Sequence, residues 1–179
     1  MELAYIQGKV YDLLYSNRSS KVTAQERQRR VSRLQSMLDQ WYERIPTVFH
    51  IEHVAATVGP SQLVQMTKMH HAFLLTEVMI HGIYSHNAEW VKRISSFSRA
   101  TITSVGNLEN RGFDGAGKCQ DQAPPLPEGW NHCVDVSRGC MKLFQEATPT
   151  ECLIWYVSLS MFGSLLISAG NVAALISQR

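Results

Sequence analysis

The sequence predicts an all-α fold, an irregular multi-helix bundle of six or seven helices with a long glycine- and proline-rich loop. Three observations carry this prediction. Apolar residues recur at helical spacing through nearly all of the 179 residues. Helix-start signals stand ahead of several of these periodic stretches. No segment alternates polar and apolar residues convincingly enough to build a sheet.

In chain order, Leu3, Ile6, Val10, Leu13 and Leu14 form one apolar stripe of a first helix. Gly8 sits inside it and costs about 1 kcal/mol against alanine, unless a neighbouring helix needs close approach there. A polar break over 17–20 follows. Thr23 with Glu26 three residues on is a capping-box pattern, which starts the second helix near residue 24. Its buried stripe is Val31, Leu34, Leu38, Trp41 and Ile45, and Pro46 stops it. Residues 47–59 carry strand-like side chains but fit an irregular crossing equally well. Pro60 or Ser61 then opens a long helix to about Tyr84, apolar on most sides and therefore central in the bundle. Another begins near Asn87, with Trp90, Val91, Ile94, Phe97 and Ile102 along it. Residues 106–129 read as a flexible loop insertion. A helix over 130–145 follows, with Cys133 and Cys140 on one face as small apolar groups. The Thr-Pro-Thr stretch at 148–150 opens the last helix. The whole reads as a single helical domain over residues 1–179.

Composition bounds the function. Apolar residues make up 45% and charged residues 18%, proportions of a globular chain with one core. A net charge of +2 is too small to argue for nucleic acid. Arg18, Lys21, Arg27, Arg29, Arg30 and Arg33 cluster against the single acid Glu26. Without interleaved aromatics they read as a solvated helix face rather than a phosphate-binding patch or an import signal. Cys119, Cys133, Cys140 and Cys152 show no C-x-x-C spacing. That spacing predicts free thiols in a reducing compartment, and neither a zinc site nor a redox pair. The amphipathic pattern at the N-terminus is not that of a signal peptide.

Gly112-x-x-x-x-Gly117-Lys118 resembles a phosphate-binding loop, but Cys119 replaces the hydroxyl that ligates magnesium. Pro124, Pro125 and Pro127 cannot form the helix such a loop must open, so nucleotide binding is not expected. No charge falls between Cys152 and Gln178, a length that could span a bilayer. Ser160, Ser164 and Ser168 nevertheless recur as a small-residue ridge, and a buried central helix is the preferred reading over a membrane anchor at 152–178. His70, Glu77 and His81 share one helix face. Their spacing departs from the Glu-x-x-His motif of metal-binding bundles, and no second helix offers a matching set by sequence. A small enzyme or metal-binding protein using these three residues is the alternative reading. His50 and His53 are given no metal role, and no local signature marks a nucleophile. No catalytic residue, cofactor or metal is therefore expected. A ligand pocket, where one forms between helices, would draw on Trp41, His70, Glu77, His81 and Trp155.

The stretches "LAYIQGKVYDLLYS" (3–16) and "LDQWYERIP" (38–46) resemble the regulatory, or middle homology, domain of fungal zinc-cluster transcription factors. The matching positions are Leu3, Gly8, Val10, Tyr11, Leu38, Trp41 and Pro46. "KMHHAFLLTEVMIHG" (68–82) is similar to the family's His-rich helix, with Ile80-His81 in its aliphatic-His pair and Gly82 where arginine is frequent. "CVDVSRGCMKLF" (133–144) is similar to its Cys-x-x-Ala-Ala-Arg helix, with Ser137-Arg138 at the last two positions. The resemblance implies an all-helical regulatory module of a transcription regulator in the nucleus, or in the cytoplasm should the fragment stand alone, and no enzyme. It implies protein partners, either co-regulators or a second copy, and a small-molecule effector. The six-cysteine zinc cluster with which the family reads DNA has no counterpart here. The chain is accordingly expected to be a partial regulatory domain, with no direct nucleic-acid contact and no membrane.

Overall fold

Caps and prolines set the helix boundaries. The computed structural model describes residues 2–81, 129–161 and 163–164. Among them are six α-helices and no strand: α1 (Glu2–Val10), α2 (Ala24–Glu43), α3 (Val54–Thr57), α4 (Pro60–Ile80), α5 (Trp130–Glu146) and α6, described over 151–161 and 163–164. The predicted all-α class holds. Thr23 is extended, and its Oγ1 accepts the Glu26 N–H at 3.3 Å, starting α2 at the expected place. Pro60 takes the first position of α4, while Gln62 Oε1 accepts the Gly59 N–H at 3.4 Å. Thr150 Oγ1 accepts the Leu153 N–H at 3.1 Å and opens α6. The helix expected near Asn87, the stretch 112–119 and the loop insertion apart from Gly129 lie outside the described residues.

α1 departs from expectation at its end. Residues Tyr11–Tyr15 form a wider turn, closed by the Ser16 N–H on the Tyr11 carbonyl at 3.0 Å. Ile6, Val10 and Leu14 still bury together. Arg30, expected on a solvated face, instead turns toward this end. Its Nη1 donates to the Leu13 carbonyl at 3.0 Å and its Nε pairs with Glu26 at 3.2 Å. Helix termini leave carbonyls without intrahelical partners, and a long guanidinium reaches one readily. Among the described residues Gly8 serves no close approach: a Cβ there would meet nothing within 4 Å.

The centrality of α4 is as predicted. One side of it packs Phe73 and Ile80 against Ile6, Val10, Leu34 and Leu38 of α1 and α2. Another packs Leu74 and Val78 against Trp130, Cys133, Val134 and Cys140 of α5. Near its start, Leu63 joins Val54, Leu143, Leu153 and Val157. Each such aliphatic side chain, fully withdrawn from water, contributes about 1.5–3 kcal/mol. Polar ties fix the register of α1 on α4. Gln7 Nε2 donates to Thr76 Oγ1 at 3.1 Å, and Tyr15 Oη donates to the Met79 carbonyl at 2.6 Å.

Residues 47–59 form the irregular crossing and not a strand. A 3-10 turn at Thr47–Phe49 precedes the short α3. The His50 ring nitrogen Nε2 meets the Ile45 carbonyl at 2.9 Å, closing the bend after Pro46.

α6 corrects a second expectation. It was read as a buried central helix, but its described part packs by one face. Leu153, Val157, Ser160 and Ser164 are buried, whereas Ile154, Trp155, Tyr156 and Leu159 are exposed. Two of the ridge serines do face inward, where small side chains permit close approach. Among the described residues, no helix is long and apolar enough to cross a membrane.

Candidate functional site

A cavity of about 390 Å³ opens between α2, α4 and α5. α2 supplies Asp39, Tyr42 and Glu43. The bend before α3 supplies Ile51 and Glu52, α4 supplies His70 and Phe73, and α5 supplies His132, Asp135 and Val136. Helical spacing explains the set. Asp39, Tyr42 and Glu43 recur at three and four residues on one face of α2, as do His70 and Phe73 on α4.

The floor is aromatic. Tyr42 stacks on Phe73 with ring centroids 4.8 Å apart, and Trp41 also stacks on Phe73, at 6.0 Å. The rim is acidic: Asp39, Glu43, Glu52 and Asp135 are all exposed carboxylates, and among the described residues no lysine or arginine lines the cavity. His70 is buried beneath them. Its Nε2 donates to the Phe49 carbonyl at 2.9 Å, and its Nδ1 is a buried acceptor without a partner among the described residues. Burial lowers the His70 pKa against the pull of that carbonyl, which keeps the ring neutral and Nδ1 available as an acceptor. Burial likewise raises the Tyr42 pKa, with the backbone bond from Ile51 opposing it, so the phenol stays protonated.

Beside the cavity lies a second polar node, centred on Glu77. This carboxylate is 0% exposed. Gln35 Nε2 donates to Oε1 at 2.9 Å, and His132 Nε2 lies 3.5 Å from the same oxygen. Among the described residues Oε2 has no hydrogen-bond partner of good geometry, and His81 Nε2 is 3.4 Å away. Burial alone would raise the pKa of Glu77, but His132, His81 and Gln35 outweigh it and hold the carboxyl at about 2. The same contact with Glu77 raises the pKa of His132, against its partial burial. Cys133 completes the cluster: ligand atoms of Glu77, His81 and Cys133 lie within 4.8 Å of one another. Burial, helped by the Glu77 charge, pushes the Cys133 thiol up to about 12.

Four of the five residues singled out by sequence line α4 or face it. His70 lines the cavity, and Trp41 backs it through Phe73. Glu77 and His81 belong to the adjoining node, and His70 is not brought to them; its ring faces Phe49. Trp155 is 81% exposed on the outer face of α6 and lines neither. Sequence reading found no second helix to partner Glu77 and His81, whereas α5 provides His132 and Cys133. The intervening residues 82–128 erase any spacing signal. Asp39, Glu43 and Asp135 were also missed, since carboxylates on a helix surface look like ordinary solvated charge.

No protein-family profile matches the chain, and no solved structure matches it. Over 95 residues it is 28% identical to an ABC-transporter-regulating transcription factor of Aspergillus fumigatus. A protein of the same description from Aspergillus oryzae is 27% identical over 95 residues. The matched region covers 53% of this chain but spans only 11% of either relative's length. Over about half its length, then, the chain is similar to a small part of fungal proteins named as transcription factors that regulate ABC transporters.

Proposed function

We propose that this chain is the helical, effector-responsive regulatory part of a fungal transcription factor, and that it has no catalytic role. The observation that carries the effector is the cavity between α2, α4 and α5, with its aromatic floor and its rim of carboxylates. A lipophilic cation fits that chemistry. Its apolar part would lie on Tyr42 and Phe73. Its positive charge would meet Asp39, Glu43, Glu52 and Asp135. Because the cavity is bounded by three helices, occupancy would favour the packing in which they close on the ligand. That shift would pass to an activating segment or a protein partner. The similarity to named transcription factors supports the regulatory setting and the nuclear location that goes with it.

Dibenzylammonium and dibenzyl ether test this reading, since they share a shape and differ in charge and N–H. Calorimetry is expected to show the cation binding and the ether binding at least about tenfold more weakly, a difference of about 1.4 kcal/mol. The double variant Glu43→Lys/Glu52→Lys should lose the preference. In a reporter strain, the chain fused between a heterologous DNA-binding domain and an activation domain should change output with dibenzylammonium. Equal affinity for the two ligands, or no binding of either, would sink the effector reading. An unchanged reporter despite binding would sink the regulatory one.

A further inference from the structure

We propose that Glu77, His81 and Cys133 form a zinc site that staples the end of α4 to the first turn of α5. The inference goes beyond the effector reading and does not rest on it.

The geometry is the first support. The three ligand atoms converge within 4.8 Å, and Glu77 Oε2 stands 3.4 Å from His81 Nε2. Ligand atoms around one tetrahedral zinc, each about 2.0–2.3 Å from the metal, stand about 3.3–3.8 Å apart; the Glu77–His81 pair already has that spacing, and binding would draw in any wider pair of the three. One thiolate, one imidazole and one carboxylate make a donor set of mixed softness, which suits zinc rather than calcium or magnesium.

The second support is an orphaned atom. Glu77 is fully withdrawn from solvent, yet its Oε2 has no hydrogen-bond partner of good geometry among the described residues and faces the His81 ring. A buried carboxylate oxygen left in that condition is costly, and a cation between it, the imidazole and the sulfur would satisfy it.

The surroundings hold the ligands in place. Gln35 Nε2 bonds both Glu77 Oε1 and Asp39 Oδ1, at 2.9 and 2.8 Å, leaving Oε2 for the metal. Gly129 has φ +81, and a Cβ there would fall 2.4 Å from His81 Cε1. The imidazole therefore occupies room that only glycine leaves at the head of α5. His132 is 54% exposed, with its Nε2 3.5 Å from Oε1, the Glu77 oxygen turned to Gln35.

Binding would replace the Cys133 S–H bond with a Zn–S bond and release the proton to solvent. It would also pin His81 next to Gly129 and so hold together the two ends of the segment 82–128.

The test uses the 179-residue chain without a histidine tag, in a Cys119→Ser/Cys152→Ser background that leaves Cys133 and Cys140 as its thiols. Cobalt(II) is the probe. One equivalent should give a thiolate-to-cobalt charge-transfer band in the near ultraviolet, with visible bands of tetrahedral intensity, and zinc should abolish both. Cys133→Ser should eliminate the charge-transfer band. His81→Ala should weaken zinc binding at least about tenfold, while His53→Ala on the exposed bend should leave it unchanged. Far-ultraviolet circular dichroism of each variant verifies the fold, and zinc should raise the melting temperature of the parent but not of Cys133→Ser. Absence of the band in the folded parent overturns the site. So does a band that survives Cys133→Ser, or zinc affinity indifferent to both Cys133→Ser and His81→Ala.

Discussion

His71 Nδ1 and Ser160 Oγ share a hydrogen bond of 2.7 Å inside the core, joining α4 to α6. The serine also donates to the Val157 carbonyl at 2.9 Å, and the Phe144 ring meets the imidazole edge-on. No carboxylate is among these contacts to balance a charged imidazole. Burial accordingly brings the His71 pKa down from 6.5 to about 4, opposed by the Cys140 carbonyl and reinforced by His70 beside it.

A depressed histidine pKa makes stability depend on pH with a definite sign. Below pH 6.5 the unfolded chain binds a proton at His71 that the folded chain refuses until about pH 4. The contribution is complete above 6.5 and lost as pH falls through that window, amounting to about 3 kcal/mol at most. His70, also depressed by burial, acts in the same direction. Urea midpoints measured between these pH values should fall steadily with acidification, and His71→Asn should flatten much of the slope. Ser160→Ala should lower the profile without flattening it. A pH-independent midpoint would show that neither ring is held neutral by the fold.

Two glycines should respond to alanine with opposite signs. Gly8 is exposed inside α1 with open space around it, so Gly8→Ala should stabilise by about 0.5–1 kcal/mol through helix propensity. Gly129 has left-handed backbone, and its missing Cβ would overlap the His81 ring. Gly129→Ala should destabilise by about 1–2 kcal/mol or more, from backbone strain and displacement of the ring. Chemical denaturation compares the two, and a gain at residue 129 would refute the contact.

What the sequence made legible were the features written locally. The Thr23 cap, the stop ahead of Pro46 and the Leu34 and Leu38 centre of the α2 stripe lie within one segment and were legible there, whereas Ile45, assigned to that stripe, falls beyond the helix end at Glu43. α4 was legible as the centre because apolar residues surround it. Arg30 was misread because only the end of α1 beside it reveals a carbonyl to reach. In α6 the absence of charge suggested burial all round, although Trp155 and Leu159 lie outward; uncharged is not the same as buried when the neighbours cover one face. His70 and Trp41 were singled out as polar or aromatic residues on apolar faces, which is how an aromatic cavity floor appears in a sequence. Cys133 was taken for simple packing because its approach to Glu77 spans residues 82–128, and no spacing rule reaches so far.

α6 supplies a further prediction from its two faces. Leu153 is fully buried against Val54, Leu63 and Leu143, so Leu153→Ala should cost about 2–5 kcal/mol. Trp155→Ala removes a larger side chain from the outer face and should change stability by less than about 0.5 kcal/mol. Thermal or urea unfolding distinguishes them. A large loss at Trp155 would mean that this face is covered in the folded chain.

The Glu77 node should prove structural as well as ligand-binding, and measurements in chelator separate the two roles. Glu77→Ala would strip Gln35 of its acceptor, take the negative charge away from His81 and His132, and leave a hole between α2, α4 and α5. Removing one member of a buried charged cluster costs about 3–5 kcal/mol. Glu77→Gln keeps the volume and one carbonyl for the Gln35 amide, and should cost about 1–2 kcal/mol. His132 is half-exposed, so solvent screens its contact with Oε1, and His132→Ala should cost under about 1 kcal/mol. The expected order of loss in urea is therefore Ala at 77, then Gln at 77, then Ala at 132. If His132→Ala were the most damaging of the three, the carboxylate would depend on that imidazole for its place in the core, and Gln35 would not be its principal anchor.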